Sequence, residues 1–235
     1  MAKKFHTAPM KYPTIAIDGP AASGKGTLAR LIAQKLGYAH LDTGSLYRAV
    51  AFEVLEAGGT PSATEDAVRG AETLAQKIAG GDNNILNNQK LRSDEIAQAA
   101  SVVATIQPVR DRLVMLQRDF AQNPGKGFNG AVLDGRDIGT VICPKANVKL
   151  FVIADIEVRA ERRMKELQSK GIQATTGTVL EDMRARDARD KERKASPLKP
   201  AEDAVMLDTS HLSESEVLAK ALEIIRAKIP GPTIS

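Results

Sequence analysis

Residues 14–34 read TIAIDGPAASGKGTLARLIAQ, and how they divide decides the fold. Thr14-Ile15-Ala16-Ile17 is a short β-branched run suited to a buried strand. It stops at Asp18-Gly19-Pro20, and a helical pattern begins near Lys25 with Leu28, Leu31 and Ile32 on one side. Strand, glycine-bearing turn and helix are the context that a phosphate-binding loop requires. The loop runs Gly19-Pro20-Ala21-Ala22-Ser23-Gly24-Lys25-Gly26-Thr27. Gly19 and Gly24 let the backbone curl so that N–H groups point inward, and the helix adds its positive end. Lys25 is then placed to neutralise the outer phosphates, and the Thr27 hydroxyl to hold a magnesium ion, Mg2+.

The common pattern G-x-x-x-x-G-K-[ST] is interrupted once, because Gly26 follows Lys25 and the hydroxyl comes at Thr27. That GKGT ending resembles the adenylate-kinase style of nucleotide kinases. The competing reading is a glycine-rich turn that only joins a strand to a helix.

At 235 residues the chain has room for one large domain, or one with an insertion, and for a substantial core. A single cysteine, Cys143, excludes an internal disulfide and fits a reducing compartment. Residues 1–13 carry Lys3, Lys4 and Lys11 but no apolar segment, which argues against a secretory signal, and no run approaches a membrane span. The net charge of +4 is concentrated. Residues 156–199 hold 12 Lys/Arg against 8 Asp/Glu, and the rest of the chain balances. A local surplus points to an anionic ligand more than to a general basic coat. Nucleic-acid binding is the rival, but eight aromatic residues without a tryptophan are thin material for base-stacking platforms.

Along the chain, Tyr38 to Leu41 reads as a second strand that delivers Asp42-Thr43-Gly44 into a helix carrying Arg48. Residues at that junction belong to the carboxyl edge of a parallel sheet, where α/β folds bind ligands. Asp42 is open to two readings, a helix cap or a contact to a magnesium-bound water or the acceptor. Ser62 to Glu65 reads as a capping box for a helix to about Ala79, and residues 80–84 as a turn. Ile85 to Leu91 suggests a small hairpin around Asn87-Asn88. Two helices follow, near Asp94 to Thr105 with Ser101 and from Pro108 to Ala121 with Arg110. Ala131 to Leu133 is a strand ending in DGRDIGT, which holds Arg136 and Asp137, and Val148 to Ile153 is another, followed by a helix to about Lys170. Thr178 to Glu181 reads as a second capping box, opening a charged helix. Ala204 to Leu207 is the last strand, and Ser213 to Glu216 caps a final helix striped with Leu218, Leu222, Ile225 and Ile229. Strands alternating with helices give a parallel α/β sheet.

The charged helix contains RARDARDKER. Arg186, Arg189, Asp190 and Arg193 recur at helical spacing on one face, about 10 Å long at 1.5 Å per residue. Taken alone, that pattern is better explained by a solvated helix laced with i,i+4 ion pairs. Phosphoryl transfer favours the other reading. It is catalysed mainly by positioning and positive charge, and arginine forks bind phosphate oxygens two at a time. A mobile helix that closes over the nucleotide also excludes water.

Taken in order, IDGPAASGKGT, LDTGSLYR, DGRDIGT, RDARD and SPL span nearly the whole chain and resemble bacterial cytidylate kinase, of the P-loop nucleoside monophosphate kinase superfamily. The resemblance implies an α/β, three-layer P-loop NTPase core with a mostly parallel five-stranded sheet, in residues 1–58 and 108–235. It also implies a nucleoside monophosphate-binding insertion at 59–107 and a helical lid at about 156–199. The implied reaction is transfer of the γ-phosphoryl of ATP to CMP or dCMP with Mg2+, giving ADP and CDP or dCDP, in cytoplasmic pyrimidine nucleotide metabolism. By the same match Arg48, Arg136 and Arg193 hold the acceptor phosphate. Ser101, Arg110 and Asp137 read cytosine, Arg186 and Asp190 touch the sugar, and Asp42 and Thr43 lie on the acceptor side. Lys25, Arg136, Arg186, Arg189 and Arg193 supply the catalytic positive charge. Thr43 stands where the family commonly has Ser, which keeps the hydroxyl, and the segment before Leu91-Arg92-Ser93 is shorter than usual. The expected partners are small molecules, without nucleic acid or membrane, and the expected state is a monomer. A UMP- or AMP-directed kinase, a P-loop switch and an RNA-binding module are the alternatives. The N-K-x-D segment that reads guanine in GTPase switches is missing from the sequence. Histidines 6, 40 and 211 form no cluster in the sequence, and a Cys/His metal pattern is lacking.

Overall fold

The structure is a computed structural model that describes residues 10–229 apart from 83 and 170. The expectations for the first nine residues, for Asn83 in the turn and for Lys170 at a helix end fall outside the described residues. Five strands, β1 (Thr14–Asp18), β2 (Ala39–Asp42), β3 (Ala131–Gly135), β4 (Val148–Ile153) and β5 (Val205–Asp208), form one sheet in the order β2-β3-β1-β4-β5. β1 runs parallel to both β3 and β4, and β4 is parallel to β5. The central position of β1 agrees with its sequence, because all five of its residues are buried and a strand covered on both faces reads as a continuous apolar run. The sheet therefore has the parallel α/β form that the alternating elements implied.

The chain folds as two compact units. Of the described residues, one comprises those up to Leu41, Asp119–Glu192 and those from Ser196 on, and the other comprises Asp42–Arg118 with Arg193–Ala195. In the first unit, helix α1 (Lys25–Leu36) turns Leu28, Ile32 and Leu36 onto Ile15, Ile17, Val132 and Leu150 of the sheet. The last helix, α8 (Glu214–Lys228), joins the same core through Val217, Leu222 and Ile225. Burying such side chains is worth about 1.5–3 kcal/mol each before the entropy of ordering them is charged. The second unit is helical. Helices α2 (Thr43–Glu56), α3 (Thr64–Ala79), α4 (Asp94–Val103) and the start of α5 (Gln107–Gln122) bury Leu46, Val50, Val54, Leu74, Leu91, Ile96 and Val109.

Three local expectations are corrected. Ile85 to Leu91 forms two single-turn 3-10 helices, Ile85–Asn87 and Gln89–Arg92, and not a hairpin. The Asn88 side chain accepts the Lys90 N–H and starts the second turn, so the asparagines that suggested a β-turn serve as a cap. Helix α3 is capped at Ala63 without a side-chain hydrogen bond, so Ser62 and Glu65 make no capping box. Asp66 instead reaches back from the first turn to accept the Thr60 N–H at 2.7 Å. The charged helix, α7 (Thr176–Glu192), begins earlier than its expected box at Thr178 to Glu181. Thr175 and Thr178 exchange hydrogen bonds through their side chains and N–H groups at its start. The box at Ser213 and Glu216 forms as expected.

Replacing Ser213 with Ala therefore costs about 0.5–2 kcal/mol in urea unfolding, the usual value of an N-cap. Ser62→Ala, at an exposed residue that caps nothing, leaves the midpoint within error.

Candidate active site

The loop after β1 is fixed by backbone crowding. Gly19 approaches β4 so closely that a Cβ there would lie 2.1 Å from the Val152 carbonyl oxygen, so no other residue fits without moving the strand. Ala22 follows with φ of 56° and Gly24 with φ of 89°, which curls the chain into the start of α1. The helix has no side-chain cap at Gly24 and no acidic residue in its first turn. Its leading N–H groups and positive dipole end are thus not answered by any side chain of the helix itself. Carbonyls on the outside of the loop are tied back. Arg159, on helix α6 (Ile156–Ser169), donates to the Ala21 carbonyl at 3.3 Å, and the Thr209 hydroxyl donates to the Ser23 carbonyl at 3.0 Å. Ser23 is fully buried, and its hydroxyl has no hydrogen-bond partner among the described residues. A buried hydroxyl beside open amides is a donor set for an anion. Lys25 folds over this loop, with Nζ 3.3 Å from the Pro20 carbonyl oxygen.

Acidic residues gather at the carboxyl ends of the strands. Asp18 ends β1 and Asp134 lies near the end of β3, and both are buried. Asp134 accepts from His40 Nε2 at 2.8 Å, and its Oδ2 would be 3.7 Å from a Cβ on Gly26. Magnesium keeps several waters and takes only one or two protein groups beside the nucleotide phosphates, so the Thr27 hydroxyl and the Asp134 carboxylate are a suitable set. No cluster of three or more His, Cys, Asp or Glu suited to a dedicated metal cage occurs among the described residues.

The expected arginines have definite partners. Arg136 Nε donates to Asp190 Oδ2 at 2.7 Å in a nearly buried pair. Burial opposes the Arg136 charge, but Asp190, Asp134 and Asp18 outweigh it and raise the pKa above its usual value. Asp187 pairs with Arg159 at 2.7 Å. The buried side of α7 is thus Val179, Met183, Asp187 and Asp190, and these two carboxylates bind arginines outside the helix. Arg186 and Arg189 stay half-buried on the helix, whereas Arg193 lies just past its end. Asp137 is buried and opens a π-turn at Ile138–Ile142.

The second unit holds the remaining candidates. Arg48 pairs with Asp42, whose carboxylate makes no capping hydrogen bond, so the cap reading is not borne out. Thr43 is buried at the start of α2. Arg110 is 1% exposed, donates to the Ala104 carbonyl at 3.0 Å and stacks its guanidinium 5.4 Å from the Tyr47 ring centre. Ser101 is buried, and its hydroxyl has no partner among the described residues. A buried guanidinium and a buried hydroxyl with no partner suit recognition of a polar ring edge.

The cytidylate kinase family model matches residues 15–227. The chain belongs to the cytidylate kinase family. A cytidylate kinase from Paramagnetospirillum magneticum is 55% identical over 91% of this chain and 98% of its own length. Those from Rhodospirillum rubrum and Azorhizobium caulinodans are 51% and 54% identical, over 91% and 90% of this chain and 97% of each relative. A solved structure from Eubacterium ventriosum, an uncharacterised protein, aligns over 92% of this chain and 99% of its own at 13% identity with a TM-score of 0.52, which shows the fold alone. No helix among the described residues is long and apolar enough to cross a membrane.

Sequence reasoning did not single out Asp18, His40, Asp134 or Arg159. An acid closing an apolar strand was the available signal for Asp18 and Asp134, because the carboxyl edge of a parallel sheet is where ligands bind. Nothing in the sequence pairs His40 with a residue 94 positions away.

Burial raises the Asp18 pKa from 3.8 to about 7, against the lowering effect of the N–H groups of Gly139 and Ile138. The folded protein thus holds this proton after the unfolded chain has lost it, and stability falls as pH rises across that window. Compared with Asp18→Asn, the wild-type unfolding free energy should decline between about pH 4 and pH 7 and level off above. Urea titrations at stepped pH check the sign.

Proposed function

We infer that this chain transfers the γ-phosphoryl group of ATP to CMP or dCMP, releasing ADP and CDP or dCDP. The observation that carries the reading is the tight turn at Gly19 leading to the start of α1, which no side chain caps, with the buried Ser23 hydroxyl beside it, in a chain that belongs to the cytidylate kinase family. The amides and the Ser23 hydroxyl hold the ATP phosphates, and Lys25 swings from the Pro20 carbonyl to the outer phosphates. Thr27 and Asp134 would hold a magnesium ion arriving with ATP, which would supply charge neutralisation at the phosphate oxygens.

The acceptor is already an anion, so its oxygen attacks without a dedicated general base. What it needs is orientation and relief of repulsion. We assign both to Arg48, Arg136 and Arg193, and assign Asp42 and Thr43 to the acceptor as well. Asp190 keeps the Arg136 fork aimed and its charge compensated, and an acceptor phosphate competes for that same fork. Freed from Arg136, Asp190 can take a sugar hydroxyl together with Arg186. Arg189 adds positive charge from the same helix. We assign 59–107 to the acceptor side and about 156–199 to the lid, and we take a monomer as sufficient for turnover.

Asp137 accepts from the exocyclic amino group of cytosine, with Ser101 and Arg110 completing the ring contacts. Uracil presents a carbonyl oxygen at the same position and leaves the carboxylate unpaired, which costs about 1–3 kcal/mol. Coupled ADP release measured with CMP, dCMP, UMP and AMP should be fastest with the cytidine nucleotides. Asp137→Ala should lower the CMP/UMP ratio of kcat/KM by about 10-fold. An unchanged ratio removes Asp137 from the role. Lys25→Ala should lower kcat by about 100-fold or more with every acceptor, as loss of a charge that acts mainly in the transition state does.

A further inference from the structure

β1 and β3 pair in parallel register as far as Asp18 opposite Gly135, and there the backbone ladder ends. The next residues of β3's continuation are Arg136 and Asp137, followed by the π-turn at Ile138–Ile142. In that turn the Asp137 carbonyl accepts from the N–H groups of Val141 and Ile142, and the Ile138 carbonyl accepts from Cys143. The N–H groups of Ile138 and Gly139 stand at its open start. Asp18 supplies the acceptors from the neighbouring strand, 120 residues away in sequence. Its Oδ1 takes the Ile138 N–H at 2.8 Å and its Oδ2 takes the Gly139 N–H at 2.8 Å.

The two residues between the last ladder pair and these amides are thus held at both ends. On one side is Gly135 in the sheet, and on the other is a carboxylate that caps the turn from outside it. Position 139 is also crowded, because a Cβ there would lie 3.2 Å from Lys149 Cδ and 3.4 Å from Asp18 Oδ2. Asp18 is 4% exposed and both its oxygens are committed to backbone donors, so its effect on substrate passes through the turn.

We propose that Asp18 is a positioning residue for acceptor selectivity, capping the Ile138 and Gly139 amides so that Arg136 and Asp137 are held at the geometry that distinguishes cytosine from uracil. The proposal rests on the CMP-kinase reading above, and it adds a residue that touches no substrate. Hydrogen bonds from two backbone donors to one carboxylate fix both the direction and the height of the turn. Loss of such a fix shifts the carboxylate of Asp137 relative to the ring, and displacements near 1 Å are enough to cost about 100-fold in productive orientation.

Asp18→Asn tests this. The side chain keeps its shape but turns an NH2 group toward one of the two backbone donors, so one half of the cap is lost. KM for CMP should rise and the CMP/UMP ratio of kcat/KM should fall by about 10-fold, while KM for ATP changes by less than about 2-fold. A purely structural role for Asp18 would reduce active enzyme and so lower kcat equally for every acceptor. A folded variant with unchanged KM for CMP and unchanged ratio overturns the proposal. If the variant does not fold, amide hydrogen exchange on the wild-type protein decides. Ile138 and Gly139 amides as protected as the β1–β3 ladder support the cap, and exchange at open-loop rates overturns it. A wild-type enzyme that shows no preference for CMP contradicts the functional reading instead, and the exchange measurement still judges the cap.

Discussion

The first unit depends on one close approach of backbone to backbone. Position 19 lies against the Val152 carbonyl with no room for a side chain, so the chain leaving β1 must turn there. Because β1 is central in the sheet, that turn falls beside the carboxyl ends of β3 and β4. Everything chemical in the unit follows from this placement. The start of α1 carries no side-chain cap, Asp18 ends the strand that leads into the bend, Asp134 lies near the end of the neighbouring β3, and Arg159 and Thr209 bind the loop carbonyls of Ala21 and Ser23.

Charge is managed by pairing across elements. Asp187 and Asp190 are buried on one helix, and each answers an arginine from a different part of the chain. A buried ion pair adds little net stability, because desolvation offsets the attraction, but removing one partner is costly. Such pairs are therefore better read as devices that aim a guanidinium. The Arg136 fork is held in place by its bond to Asp190. The second unit uses the same economy with neutral groups, where the Tyr47 ring and the Ala104 carbonyl fix the Arg110 guanidinium.

The first strand, the turn after it and the helix that follows were legible in the sequence because they are local. A β-branched run, two glycines and a helical stripe sit within 21 consecutive residues, and each obeys a short-range steric rule. The box at Ser213 and Glu216 was legible for the same reason. Where several local solutions compete, the reading failed. Asparagines at 87 and 88 suit a tight hairpin or a 3-10 cap equally, and the burial of Leu91 settles it in the structure. Ser62 makes no cap because α3 begins at Thr64, which puts Ala63 at the cap position. Long-range pairs such as Asp18 with Ile138, His40 with Asp134 and Arg136 with Asp190 leave no periodic trace. Strand order brings the first two together and the placement of α7 the third, and spacing along the chain encodes neither.

The central claim is that backbone amides, more than side chains, hold the ATP phosphates. Amide-resolved NMR of the wild-type protein titrated with a non-hydrolysable ATP analogue and magnesium tests it most directly. The account predicts the largest shifts and slowed exchange at residues 21–27, with Ser23 and Lys25 among them. Saturable binding that leaves those amides unchanged would contradict it.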